Sequence, residues 1–218
     1  MFESCANPFS TRYVRPGALP FVFRSGESAQ ALVLRLREKN WWGEIIGPHG
    51  SGKSTLVAAL VTEMHAAGRE IRLHAFHDDI VSFAGLSPRA LDLHPTAVLI
   101  IDGYEQLSLW QKLRLRHSCR HAGCGLVVTA HQSAGLPELY RTVVTPDIAA
   151  GVFAALTRDR TALVTSSELP QCLAARNGNL RDALFDLYDL HERRMRASFG
   201  GAPRHLEPRR QSGSGVSK

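Results

Sequence analysis

The segment from Gly47 to Ser54 reads GPHGSGKS and matches the pattern G-x-x-x-x-G-K-[ST]. Glycines in such a loop let the backbone approach an anion closely, so that its N–H groups point at phosphate oxygens. We expect Lys53 to reach the β and γ phosphates, the Ser54 hydroxyl to bind Mg²⁺, and Thr55 to lie near the α phosphate. The alternative is a glycine turn that only joins a strand to a helix. The predicted cofactors are ATP and Mg²⁺, with GTP left open, and the predicted binding residues are Gly47, Pro48, His49, Gly50, Ser51, Gly52, Lys53, Ser54 and Thr55.

An acidic residue follows the apolar run AVLII at 97–101. Asp102 at the end of such a strand is typical of the Walker B arrangement, in which a carboxylate beside the phosphate loop holds Mg²⁺ through water. Ser54 and Asp102 are therefore the predicted metal ligands. The alternative for Asp102 is a helix cap.

The residue after Asp102 is Gly103, where many hydrolytic P-loop proteins carry the glutamate that activates water. This departure predicts slow hydrolysis. Glu105 is the candidate general base, although a glutamate in the first turn of a helix is also favoured by the helix dipole alone.

Polar residues also end the next apolar run, LVVTAHQ at 126–132. Thr129 and His131 are candidates for sensing the γ phosphate or orienting water. For both, a capping or loop hydrogen bond is the alternative. The predicted catalytic set is Lys53, Asp102, Glu105, Thr129 and Arg181.

Apolar periodicity indicates the elements that must position these residues. Strands are predicted at 44–47, 71–76, 97–101, 126–130 and 141–145, with a short one at 20–23, and helices fill most of the intervals. Residues 77–96 are predicted to form a loop with room for one short helix. Strands that are apolar on both faces indicate a parallel sheet covered on both sides, which is an α/β three-layer sandwich.

Beyond residue 145 only helical patterns remain, and they predict a small C-terminal helical lid. We expect an extended N-terminal arm over residues 1–25, an α/β core over 26–146, the lid over 147–197 and a disordered basic tail over 198–218.

Charge and composition narrow the choice of partners. Residues 1–192 hold 19 Lys and Arg against 19 Asp and Glu, whereas residues 193–218 hold seven basic residues and one acid. Such a tail can attract nucleic acid or an acidic partner, and a tail that only confers solubility fits equally well. The sequence shows neither a basic, apolar leader nor an apolar run near the roughly 18 residues of a membrane span. We expect a cytoplasmic protein whose four cysteines are reduced.

The order of these features resembles the AAA+ ATPases, particularly small members related to replication initiators and their loaders. The resemblance covers about residues 26–192. It implies that GNLRDALFDLYDL at 178–190 is a lid helix in which Arg181 takes the sensor-2 place. It also implies that Arg141 acts in a neighbouring subunit of a homo-oligomer, and that the segment including Pro20 to Phe23 holds adenine.

The favoured function is a slow ATPase that acts as a nucleotide-dependent switch or remodeller on a partner protein. The alternative is a small-molecule kinase that uses the same phosphate loop, with Arg158 and Arg160 in a mobile lid. A transporter-type ATPase would need an LSGGQ signature before Asp102, and the sequence has none. The segment HSCRHAGC at 117–124 contains zinc-ligand residue types, but its spacing matches no common zinc module.

Overall fold

A computed structural model of the protein describes residues 6–76 and 91–199. Within these ranges the helices are α1 Thr11–Val14, α2 Ala29–Glu38, α3 Lys53–Ala66, α4 Leu109–Ala122, α5 Pro146–Thr157, α6 Leu169–Ala175 and α7 Leu180–Phe199. The strands are β1 Trp42–Ile46, β2 Glu70–Ala75, β3 Ala97–Asp102, β4 Gly125–Ala130 and β5 Glu138–Arg141. Most of the predicted loop at 77–96 and nearly all of the predicted tail at 198–218 lie outside the described residues.

The five strands in the described part of the chain form one sheet in the order β2-β3-β4-β1-β5. Every neighbouring pair is parallel, which confirms the prediction from the apolar strands. Ile45 pairs with Thr129, and Ile101 pairs with Val128. Because parallel strands end at the same edge, this register brings Gly47, Asp102 and Thr129 to one edge of the sheet.

Helices cover both faces of this sheet, as predicted. On one face, α2 and α3 bury Leu32, Leu36, Leu56, Leu60 and Met64 against the strands. On the other face, α4 and the chain leading into it form a second core with residues of β3 and β4. The result is the predicted three-layer α/β sandwich.

The predicted strand at 141–145 is displaced, because β5 covers Glu138–Arg141. The partner strand β1 ends at Ile46, where the chain turns into the glycine loop, and the Thr142 N–H makes the last bond to the Ile46 carbonyl. Residues beyond Thr142 therefore have no neighbouring strand to pair with. The predicted strand at 20–23 is also wrong, since Phe21 and Phe23 pack edge to face on each other instead of forming ladder bonds.

The helix predicted in the interval between the strands at 97–101 and 126–130 is divided into two pieces. A 3₁₀ turn spans Tyr104–Gln106, and α4 begins only after Ser108. Ser108 and Gln111 form a reciprocal capping box, which fixes the start of α4 at this point.

The helices α5, α6 and α7 share a third apolar core, which also includes the N-terminal segment. The Phe9 side chain is fully buried there and packs on Phe153 with ring centroids 5.6 Å apart. Asn7 donates hydrogen bonds to the Tyr188 carbonyl and to Glu192. The N-terminal segment is thus fastened to α7. Among the described residues, no helix combines the length and apolar character needed to cross a bilayer.

Candidate functional site

The glycine loop connects β1 directly to the N-terminus of α3. Gly50 and Gly52 have φ angles of 66° and 90°, a region that residues with a Cβ rarely adopt. Gly52 is the N-cap of α3, and the helix has neither a side-chain cap nor an acidic residue in its first turn. The first amides of this 14-residue helix are therefore available to an anion, which the positive end of the helix dipole also favours.

The loop is braced against the chain that follows β5. The Ser51 hydroxyl lies 2.7 Å from the Pro48 carbonyl oxygen and 2.6 Å from the Thr142 hydroxyl. A Cβ on Gly47 would collide with the Thr142 side chain and backbone, so only glycine fits at the start of the loop. Thr142 was not identified from the sequence, where it is only one polar residue in a predicted strand.

Lys53 folds back over the loop with its ammonium group half-buried. Its Nζ donates to the carbonyl oxygens of Gly47 at 2.7 Å and Pro48 at 2.8 Å. Burial lowers the pKa of Lys53, while the negative charges of Glu105 and Asp102 act in the opposite direction. The ammonium is thus a positive charge in a partly dry site, with two carboxylates near enough to influence it.

Asp102, Gly103 and Thr129 form a short chain of hydrogen bonds at the edge of the sheet. The buried Thr129 hydroxyl donates to Asp102 Oδ1 at 2.5 Å and accepts the Gly103 N–H at 2.9 Å. In this structure Thr129 therefore orients the Asp102 carboxylate. The role as a phosphate sensor that we expected for Thr129 remains a prediction.

Glu105 is held by His131 at the mouth of the site. His131 Nε2 lies 2.7 Å from Glu105 Oε1, and the His131 ring lies 3.7 Å from that of His49 in the glycine loop. With the proton on Nε2, the Nδ1 atom can accept from Lys53 Nζ at 3.4 Å; in the imidazolium form it donates to the Gly47 carbonyl at 3.2 Å. His131 thus links the candidate base to the glycine loop.

The first residues of α7 lie directly on the glycine loop. A Cβ built on Gly50 would collide with the Asn179 side chain and would stand 3.2 Å from the Arg181 Cβ. Asn179 caps α7, since its Oδ1 accepts the Asp182 N–H at 3.2 Å and its amide donates to the Asp182 carboxylate at 2.7 Å. Helix α7 and the glycine loop are therefore in contact at this point. Asn179 was not identified from the sequence, although the spacing N-x-x-D before an apolar run is a signal for a helix start.

Many of these residues line a cavity of about 390 Å³, a volume in the range of small-molecule sites. Lys53, Ser54, Asp102, Glu105 and Arg181 form part of its polar wall. Its other wall is apolar and comes from the N-terminal segment, the chain after β5 and the lid, with Leu19, Pro20, Phe21, Val22, Val143, Ile148 and Leu184 among its residues. A site with an anion-binding end and an apolar end fits a nucleotide with its phosphates on α3.

The donor set also fits a hard divalent cation. Ser54 and Asp102 both line the cavity, and hydroxyl and carboxylate oxygens are the ligands that Mg²⁺ prefers. Asp102 is kept in one orientation by Thr129. The residues present therefore fit the predicted pairing of nucleotide and Mg²⁺.

Several residues singled out from the sequence lie away from this cavity. Arg141 pairs with Glu138, and Arg160 stacks on Tyr13. In the part of the chain that the structure describes, no group of three or more His, Cys, Asp or Glu side chains could hold a metal ion. Cys119, Cys124 and Cys172 are free thiols.

A buried carboxylate that sequence reasoning missed holds the segment next to His131 in place. Glu44 is almost fully buried in β1, and its two oxygens accept from the Ser133 hydroxyl at 2.6 Å and from the N–H groups of Ala134 at 2.7 Å and Leu136 at 3.2 Å. It thereby fixes the segment just after His131. The available signal was one acid in the apolar strand WGEII.

The parallel five-stranded sheet between helices, with a glycine loop leading from β1 into α3, is the fold of a P-loop NTPase. No protein-family model and no curated protein sequence matches the chain.

Solved structures with a similar backbone include the Walker-type ATPase PABY2304 of Pyrococcus abyssi, with a TM-score of 0.47 and 12% identity over 88% of this chain and 78% of that one. Another is PCH-2 of C. elegans, with a TM-score of 0.38 and 11% identity over 76% of this chain and 67% of that one. Both likenesses concern the course of the backbone, and the fold assignment rests on the strand order and the glycine loop of the chain itself.

Proposed function

We propose that the protein binds Mg-ATP in this cavity, hydrolyses it slowly, and works as a nucleotide-dependent switch. The observation that carries the proposal is the contact between lid and glycine loop at Gly50. Because Asn179 and Arg181 stand against the loop that would hold the phosphates, a change at the phosphates changes the surface on which α7 rests.

In the proposed complex each polar residue has a defined task. The amides at the start of α3 and the Lys53 ammonium bind phosphate oxygens, and Lys53 exchanges its two carbonyl partners for them. Ser54 and Asp102 hold Mg²⁺, which supplies charge neutralisation at the phosphates when bound. Thr129 keeps Asp102 oriented, and the apolar wall near Phe21 receives the adenine of the nucleotide.

The proposed rate of hydrolysis is low because the position after Asp102 cannot readily carry a water-activating side chain. Gly103 has a φ of 92°, and a Cβ there would stand 3.0 Å from the Phe76 carbonyl oxygen. Glu105 is the nearest replacement as general base, but its carboxylate is already engaged by His131. Because Glu105 must first break its contact with His131 before it can activate water, hydrolysis is slow. Slow hydrolysis suits a protein that acts by holding one conformation while ATP is bound.

Arg181 is the proposed reporter of the γ phosphate. It is exposed, lines the cavity, and lies one residue into α7, with its guanidinium 5.8 Å from the Phe185 ring centroid. A guanidinium at this place can bridge phosphate oxygens and draw α7 toward the loop. The lid would then hold one position with ATP and another with ADP.

The test compares wild type with Arg181→Ala in two assays. Limited proteolysis of the lid is carried out with ATP and with ADP, and steady-state phosphate release is measured with ATP. We expect slow release by the wild type, stronger lid protection with ATP than with ADP, and loss of that difference in Arg181→Ala. Arg196→Ala, which removes an exposed arginine from the far end of the same helix, is the matched control. Equal protection by ATP and ADP in the wild type would contradict the switch, and fast turnover by the isolated protein would contradict slow hydrolysis.

A further inference from the structure

Helix α4 presents an apolar surface that residues 6–76 and 91–199 leave exposed. Leu109, Trp110 and Leu113 expose 72%, 82% and 51% of their area, and they lie together on the first turns of the helix. Soluble proteins seldom leave a tryptophan and two leucines side by side in water without a binding role. The buried side of α4 is supplied by Leu115 and Cys119, so these three residues are not needed for its packing on the sheet.

The same exposed side continues toward the end of α4 with one arginine and two histidines. Arg114, His117 and His121 follow Trp110 at spacings of four, seven and eleven residues, which places all four on one face of the helix. Leu109–Ala122 contains no Asp or Glu. We call Leu109, Trp110, Leu113, Arg114, His117 and His121 the α4 surface.

Arg114, the charged residue of the α4 surface, has no acidic partner within the described chain. Elsewhere, Arg72, Arg176 and Arg194 each form an ion pair with a carboxylate. Within residues 6–76 and 91–199, no cation of α4 does so. The surface therefore offers unneutralised positive charge beside exposed apolar area, and its complement is a segment with carboxylates beside apolar anchors.

We propose that the α4 surface is the docking site for an acidic, apolar segment of a partner protein. Two leucines beside the tryptophan favour protein over nucleic acid, because leucine offers no flat face on which a base can stack. The basic C-terminal residues 193–218 carry the wrong charge to occupy it.

The position of this surface connects it to the cavity. Lys112 and Arg116, on the inner flank of α4, contact Tyr104 in the 3₁₀ turn that carries Glu105. A segment docked on α4 would thus lie on a helix that contacts the turn carrying the candidate base. The docking chemistry itself involves no nucleotide contact, so it can be tested independently of the proposed function.

The experiment selects random 12-residue peptides displayed on phage against the full-length chain, and then measures synthetic copies of the enriched peptides by fluorescence anisotropy. We expect enriched sequences to combine Asp or Glu with Leu, Phe or Trp. Their affinity should fall at least about tenfold for Trp110→Ala combined with Leu113→Ala, and it should fall and lose salt dependence for Arg114→Glu. Leu34→Ser and Arg37→Glu, which change exposed residues on α2, should bind normally, as should Lys53→Ala.

Four results would overturn the proposal. The first is no enrichment, or peptides that bind the α4 variants and the wild type equally. The second is binding of a thymidine oligonucleotide, in place of peptides, that is lost in Arg114→Glu. The third is self-association of the chain that disappears with Trp110→Ala, which would make a second copy the occupant. The fourth is peptide binding that appears only after Ile80→Ser with Phe83→Ser, which would assign the surface to residues 77–90 of the chain itself.

Discussion

Replacement of Gly50 by alanine tests the contact between lid and loop, and its cost can be worked out from two independent effects. Forcing alanine to a φ of 66° costs about 1 kcal/mol. The new Cβ also displaces the Asn179 side chain that caps α7, and loss of such a cap costs about 1 kcal/mol. Gly50→Ala should therefore lower the free energy of unfolding by about 2 kcal/mol.

A double-mutant cycle with Asn179→Gly separates these effects. Glycine is itself an acceptable N-cap, so Asn179→Gly alone should cost only a few tenths of a kcal/mol. In the Asn179→Gly background, Gly50→Ala should cost about 1 kcal/mol, the strain of alanine at positive φ. Urea unfolding of the four proteins, followed by circular dichroism, measures the coupling. Gly68→Ala is the control for backbone strain alone, since Gly68 has a φ of 75° and open space around it. Additive costs of Gly50→Ala and Asn179→Gly would refute the contact.

Three further predictions concern carboxylates. Glu105→Gln, which can still accept from His131 Nε2, should reduce phosphate release at least about tenfold with little change in Mg-ATP affinity if Glu105 is the base; unchanged release would exclude that role. Glu44→Gln should lower the free energy of unfolding by about 1–3 kcal/mol in urea titrations, because one of its N–H or O–H donors loses its acceptor in a buried site; no loss would contradict its supporting role. The hydrogen bond from Arg194 lowers the pKa of Glu168, so this pair stabilises the folded state fully above the ordinary glutamate pKa and loses its effect as pH falls through the lowered value. The difference in unfolding free energy between wild type and Arg194→Gln should therefore be constant near pH 7 and shrink below about pH 4, and a difference independent of pH would show that the ion pair is not its source.

The sequence predicted the central strands β3 and β4 well because they are apolar on both faces, and that pattern is local. It also placed Asp102 and Thr129 at the edge that carries the glycine loop, since parallel strands share one carboxyl edge. The end of β5 was missed by four residues, because the length of β5 depends on where the partner strand β1 stops. The hydrophobicity of residues 141–145 gives no indication of that limit.

Local sequence patterns could not predict the contacts between segments that lie far apart in the chain. Asn179 meets Gly50, Thr142 meets Ser51, and Glu44 binds the segment after β4; each contact joins residues about 90 or more positions apart. A periodic pattern reports which side of an element is buried, but not which loop of another element lies against it. For the same reason, the sequence did not predict that Phe9 packs on Phe153 in the core of the C-terminal helices.

Calorimetric titration of Mg-ATP into wild type and Lys53→Ala tests the central claim most directly. Lys39→Ala is the matched control, because Lys39 is an exposed lysine that also donates to a carbonyl, that of Glu138. The account predicts binding at one site for wild type and Lys39→Ala, and an affinity reduced by more than about tenfold in a Lys53→Ala protein with unchanged circular dichroism. Unchanged Mg-ATP affinity in folded Lys53→Ala would contradict the assignment of the glycine loop as the phosphate site.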